Sequence, residues 1–322
     1  MTSKILNITN GDSSVSILQA AGIPGNFLPW RDVLHEGPVP QGLNLKALSA
    51  VRAQFIAERG WGDFDEINRN FIERDEQLEQ FSDYEKVILW FEHDLYDQLQ
   101  ILQILDWFSQ QESISTPLSM ICTDQYLGLC SPQEMTQLLK FEQPITQEQL
   151  HLSHQAWASF QHPTPEKWYQ LLNTDTSALK FLEGAIVRML EEYPNCSNGL
   201  SRTAQCALQL VSESEQTAEK LFRLYQQTEE RKFLGDSSFW VVLEELLVAQ
   251  QPLLKLPEGM QLALPTQPDH VLTITEQGRA VLKGDQHWLE IHEIDQWIGG
   301  VHLTSADPWC WDLNAQSLCN RG

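Results

Sequence analysis

Basic residues are scarce in this 322-residue sequence, where 21 Lys and Arg stand against 44 Asp and Glu for a formal charge of −23. A chain this acidic repels phosphate backbones and anionic membrane surfaces at long range, which argues against nucleic-acid or membrane partners. No uncharged apolar run of about 18 residues occurs, so no bilayer-spanning helix is expected. The opening Met1-Thr2-Ser3-Lys4 runs straight into a short apolar strand, so no secretory leader is expected either. Six cysteines, at 122, 130, 196, 206, 310 and 319, include no CxxC pair. That scatter predicts reduced thiols, with neither a disulfide scaffold nor a structural zinc site. Together these absences predict a soluble cytoplasmic protein whose acidity serves solubility.

The length suffices for two cores, since domains usually run to about 100–200 residues. Strand character at 4–9, 26–30, 86–91 and 118–123 alternates with helical patterns near 45–58, 64–81 and 95–110 and after Ser131-Pro132. Alternation of this kind predicts a parallel α/β sheet flanked by helices, over residues 1–143, with strand order left open. The run Lys86-Val87-Ile88-Leu89-Trp90-Phe91 is apolar almost throughout, as a strand covered on both faces requires. Residues 144–195 read as a helical connector ending in the turn-rich segment Pro194–Gly199. From 196 to 322, three helical patterns followed by two short extended stretches predict a winged-helix-like α+β domain.

Each predicted strand of the first domain ends in polar or charged residues. Open α/β sheets bind ligands beyond the carboxyl ends of their strands, so this edge is the expected site. Glu92-His93-Asp94 is the densest cluster. Glu92 and Asp94 would share one face while His93 turns away, if the strand continued through them. With Asp12 and Asp124 they form an oxygen-rich set suited to a divalent cation such as magnesium. Asp97 and Gln98, one turn on, would support that set or face water.

The loop Trp30–Pro38 joins Arg31, Asp32, His35 and Glu36 to a Gly-Pro break. Arg31 would hold a phosphate or carboxylate in its fork, with Asn10, Asp12, Ser13 and Glu36 as further ligand-binding residues. His35 and His93, whose imidazoles can give or take a proton, are with Asp94 the candidates for catalytic proton transfer. Helix capping by the acids and serines, and an Arg31–Asp32 pair, are the structural alternatives.

Two resemblances lie within these segments. Gly11-Asp12-Ser13 resembles the nucleophile block of the GDSL esterases, but the Asp-x-x-His pair those enzymes carry is missing. Gly199–Thr203 resembles the start of a helix-turn-helix in bacterial sigma factors. Residues 200–285 nevertheless hold eight Lys or Arg against twelve Asp or Glu. The expected recognition helix near 237–250 is mostly apolar and carries no base-reading cation, so this domain is expected to serve packing or protein contacts.

A longer resemblance covers the first domain. The strings NGDS at 10–13, WRDVLHEGPVP at 30–40 and LWFEHDLYDQLQ at 89–100 together resemble the bacterial family built on the domain of unknown function DUF 1835. The stretches FLGDSSFW at 233–240 and WIGGVHL at 297–303 resemble the companion C-terminal region of its members. The resemblance implies the architecture and the choice of motifs, but no reaction. Two hypotheses follow from the residues. One is a metal-assisted hydrolase or transferase acting on a phosphorylated or nucleotide-like substrate. The other is a non-catalytic module that binds a small molecule or protein, its oligomeric state open.

Overall fold

The computed structural model describes residues 4–262 and 270–321. In chain order the first elements are β1 (Ile5–Thr9), α1 (Asp12–Ala20), β2 (Asn26–Pro29), β3 (Gly37–Pro38), α2 (Leu45–Glu58), α3 (Phe64–Glu79), β4 (Lys86–Glu92) and α4 (Leu95–Ser109). Then come β5 (Leu118–Thr123), α5 (Pro132–Leu138), β6 (Gln143–Pro144), α6 (Gln147–Phe160), α7 (Glu166–Gln170) and α8 (Leu182–Leu190). The remainder is α9 (Arg202–Glu213), β7 (Gln216–Thr217), α10 (Ala218–Thr228), α11 (Asp236–Val248), β8 (Leu254–Lys255), β9 (Val271–Ile274) and α12 (Glu276–Lys283), followed by β10 (Asp295–Gly299), β11 (Val301–Thr304), β12 (Trp309–Asp312) and β13 (Ser317–Asn320).

The chain folds as two compact units, residues 1–186 with 297–301, and residues 187–296 with 302–322. The predicted connector is therefore not a separate piece. Its first part, α6, packs along α4 in the first unit, where the His154 ring meets the buried Asp106 carboxylate at 2.7 Å. The predicted boundary at 195–196 also misses the return of residues 297–301 to the first unit. There Ile298 and Gly299 pair in parallel with Gly37 and Pro38 of β3.

The first unit's main sheet has the order β2-β1-β4-β5-β6, with β2, β1, β4 and β5 parallel and β6 antiparallel at the edge. From β1 the chain moves outward to β2, then crosses back to lay β4 on the other side of β1. This reversal makes the carboxyl ends of β1 and β4 a topological switch point, the place where doubly wound sheets take ligands. In β4 the residues Val87 to Phe91 are all buried, because helices cover both faces of the sheet. One core beside this strand gathers Leu18, Ile88, Trp90, Ile121 and Met135.

Helix ends follow their polar residues. Asn44, Asp63 and Ser131 cap α2, α3 and α5, the last with a full capping box to Glu134. At α1 neither Asp12 nor Ser13 takes the capping role that is the structural alternative for such residues. Gly11 is the N-cap and contributes no side chain, which places Asp12 in the first helical turn.

The second unit carries α9 to α12, the antiparallel sheet β7-β9-β8 and the hairpin β12-β13. One expectation about cysteine is overturned here. Cys196 and Cys319 are disulfide-bonded, whereas 122, 130, 206 and 310 are free. Sequence spacing hid the pair because 123 residues separate them, and only tertiary pairing joins them. The Trp311 amide donates to Pro194 O and the Cys196 amide to Trp311 O, which brings the final hairpin to the turn at 194–199. Among the described residues no helix is long and apolar enough to cross a membrane.

Candidate functional site

Where β1 and β4 end side by side, the residues at the carboxyl ends of both strands turn polar and interlock. Asn10 follows β1. Its side-chain nitrogen donates to Glu92 Oε1 at 2.9 Å and to both Asp97 oxygens at 3.0 and 3.1 Å. Its side-chain oxygen accepts from the Ser14 hydroxyl at 2.7 Å, which sets the amide orientation. The backbone oxygen of Asn10 accepts from the Arg31 amide at 3.3 Å and from the Tyr96 hydroxyl at 3.4 Å. One residue thus ties β1, the loop after β2 and the start of α4 together.

Three carboxylates converge on this point. Glu92 ends β4, Asp94 caps α4, and Asp97 sits in the first turn of that helix. Each offers an oxygen within 4.8 Å of the others, and the three are 5, 3 and 0% exposed. Asp94 Oδ1 accepts from the Asp97 amide, and an Asp97 oxygen accepts from the Glu92 amide. Glu92 Oε1 also accepts from the Leu127 amide at 2.9 Å. These bonds hold the acids together by their backbones. No Lys or Arg forms a salt bridge with any of the three among the described residues.

Burial without a counter-charge dominates the electrostatics. Desolvation, with repulsion from Glu92, pushes Asp94 up to about 7. Asp97 is driven well above the ordinary carboxylate range by desolvation and then by its two acidic neighbours. Burial also raises Glu92, although the Asn10 amide and the Leu127 N–H oppose the change. Such a cluster is stable only with protons or a cation on it. Its donors are all carboxylate oxygens, the set preferred by hard divalent ions such as magnesium or calcium and not by zinc.

Of the four metal ligands expected from sequence, Glu92 and Asp94 meet in this cluster. Asp12 and Asp124 lie outside it. Asp12 is exposed and binds Arg31, and Asp124 is exposed one residue beyond β5. Asp97, expected only in a supporting role, takes the third place. The strand alternation expected to bring Glu92 and Asp94 together is also not the cause. The strand ends at Glu92, and it is the helix cap at Asp94 that folds the second carboxylate back.

The expected Arg31–Asp32 pair is replaced by two others. The Arg31 guanidinium grips Asp12 through Nε and Nη2 at 2.7 and 2.6 Å. Asp32 is fully buried against Arg52 at 2.9 Å. His35 is buried edge-on to the Tyr96 ring, with Nε2 3.5 Å from Glu36 Oε1. His93 is buried between the rings of Tyr126 and Phe181, at 5.4 and 5.7 Å. Ser13 is exposed in the first turn of α1, while its neighbour Ser14 makes the bond to Asn10.

Sequence reasoning passed over Tyr96, Arg52 and Gln100. Each is a polar residue on a helix read as apolar or amphipathic, and a polar residue recurring inside a buried helix is the signal that marks them. No protein-family model matches the chain, and no curated protein matches it.

Proposed function

We propose that the carboxyl edge of the first unit's sheet holds a divalent cation and serves hydrolysis or group transfer on a phosphorylated or nucleotide-like substrate. The observation that carries this reading is the set of three buried carboxylates, Glu92, Asp94 and Asp97, with no Lys or Arg salt bridge to any of them among the described residues. A bound divalent cation would supply Lewis-acid polarisation of a phosphoryl oxygen and neutralise its charge. Arg31, beside Asn10 at the same edge, is the residue for the substrate's anionic group. His35, packed on Tyr96, is the residue for proton transfer, while His93 serves as packing among its aromatic neighbours. The three strings that resemble the DUF 1835 family all meet at this edge, on β1–α1, β2–β3 and β4–α4, which supports treating them as one functional unit.

A second reading draws on the second unit. Its order of helix, strand, two helices and two strands, with β9 between β7 and β8, supports reading it as a winged helix. Helix α11 carries Asp236, Glu244 and Glu245 and no Lys or Arg. The unit would then serve protein contacts, and the sheet edge would bind a regulatory ligand without turnover.

Calorimetry with Mn2+ and Mg2+ on the full chain and on a Glu92→Gln/Asp94→Asn variant tests the cation. Binding by the wild type that disappears in the variant supports it. A wild type that binds neither ion sinks it, and turnover of a phosphoester separates the catalytic reading from the regulatory one.

A further inference from the structure

The loop that presents Arg31 is clamped on both sides by buried groups. On one side Trp30 donates its amide to Thr9 O at 2.8 Å and its indole N–H to Gln103 at 2.7 Å, and its carbonyl accepts from Arg74 at 3.1 Å. On the other, Asp32 accepts from Arg52 through its side chain at 2.9 Å and from Gln100 through its carbonyl at 2.8 Å. Between these clamps Arg31 adopts φ 55°, the left-handed conformation that disfavours any residue with a Cβ. The clamps impose this conformation. Its result is a fixed backbone with a side chain 42% exposed, turned toward the N-terminus of α1.

The guanidinium fork is filled by an internal carboxylate. Both Asp12 oxygens sit on Arg31 in the two-point geometry that matches a carboxylate or a phosphate. Asp12 has 65% of its side chain exposed and is one residue inside a helix whose cap supplies no side-chain acceptor. Glu73 is the other acid that acts on the guanidinium. Arg31 is therefore held by buried clamps, while its occupant is a carboxylate that faces solvent.

We infer that Asp12 is a stand-in for a substrate oxyanion, occupying the Arg31 fork until a phosphoryl or carboxylate group of the ligand displaces it. This rests on the reading of the sheet edge as a site for an anionic substrate, and it adds the group that competes for the anchor. Asp12 then tunes affinity without touching the cation, and its removal strengthens anion binding.

The test is calorimetric titration of the full chain with inorganic phosphate, and separately with acetate, each with and without Mn2+. Asp12→Asn is expected to tighten phosphate binding roughly two- to fivefold, the range set by an exposed ion pair. Arg31→Gly, which relieves the left-handed strain and so preserves folding, is expected to lose phosphate binding. Arg31→Lys, which keeps the charge without the fork, should weaken it. In an Asp12→Asn/Arg31→Gly chain the gain from Asp12→Asn should vanish. An equal gain with and without Arg31 would mean generic repulsion and would overturn the inference, as would unchanged affinity in Asp12→Asn. Tighter acetate than phosphate binding would assign the fork to carboxylate ligands. Loss of Mn2+ binding alone would remove the cation reading and leave the fork standing.

Discussion

Asn10 and Asp97 are 87 residues apart in sequence, yet the side-chain nitrogen of the first reaches both carboxylate oxygens of the second. The same nitrogen also serves Glu92 at 2.9 Å. An amide brings two hydrogens and no charge, so it orients two buried acids without neutralising either. What balances the charge must come from solvent, as protons or as a cation.

Stability should consequently fall as pH rises in the metal-free chain. A carboxyl whose folded pKa is raised favours the folded state below its unfolded value, and that advantage is lost as pH climbs through the folded pKa. For Asp94 the window runs from the ordinary carboxyl range up through about 7. Thermal unfolding with a chelator should show the loss, at up to about 1.4 kcal/mol per pH unit for each titrating group. Asp94→Asn, which retains a capping side chain, should flatten the slope and stabilise the metal-free chain above neutrality.

Removing the half-buried organiser should be costly, because two buried acids depend on it. Asn10→Ala strips one donor from two buried acids and should lower stability by about 1–3 kcal/mol in urea unfolding. Asn10→Asp adds a fourth acid and should be worse without divalent ions. Added Mn2+ should recover more stability in Asn10→Asp than in the wild type.

Arg52 is a second such keystone. Fully buried, it bonds Asp32 and the carbonyls of Val33, Glu36 and Pro38, so it shapes the loop that bears Arg31 and His35. Arg52→Met leaves Asp32 charged and unpaired in the interior and should cost about 3–5 kcal/mol by chemical denaturation. Asp32→Asn combined with Arg52→Met should recover part of that loss.

Much of this architecture is legible in the sequence, and the failures share a cause. The strand at Lys86 and the α5 capping box are local, so apolar continuity and the Ser131-Pro132-Gln133-Glu134 string reveal them. Glu92 and Asp94 are legible as a dense acidic pair. Asp97 is not, because its role depends on the strand stopping one residue before His93 and on Asp94 becoming a cap. The two-residue strands Gly37–Pro38 and Gln143–Pro144 are too short to show any period. The Cys196–Cys319 bond needs the final hairpin to be folded before any pairing can be seen.

That bond makes a covalent prediction. Under non-reducing denaturation the chain should show four titratable thiols, rising to six after reduction, in line with four free cysteines and one bridge. Cys319→Ser should lower stability by about 2–4 kcal/mol. Six thiols without reductant would return the cysteines to the reduced state that their spacing predicts.

Gly300 tests the return strand of the first unit. A Cβ at this position would collide with the Gln161 carbonyl, and the Gly300 amide already bonds Phe160 O at 2.9 Å. Gly300→Ala should therefore detach residues 297–301 from β3 and expose the Val39 amide, which bonds Gly299 O, to hydrogen exchange. The cost should exceed about 2 kcal/mol.

The return of those five residues also orders events during synthesis. Chains leave the ribosome N-terminus first, and domains commonly fold as they emerge. Here the first unit waits: its β3 edge stays unpaired until almost the entire second unit has been translated. A truncated product ending in the turn at 194–199 would carry Glu92, Asp94 and Asp97 and still lack the strand that pairs with Gly37 and Pro38.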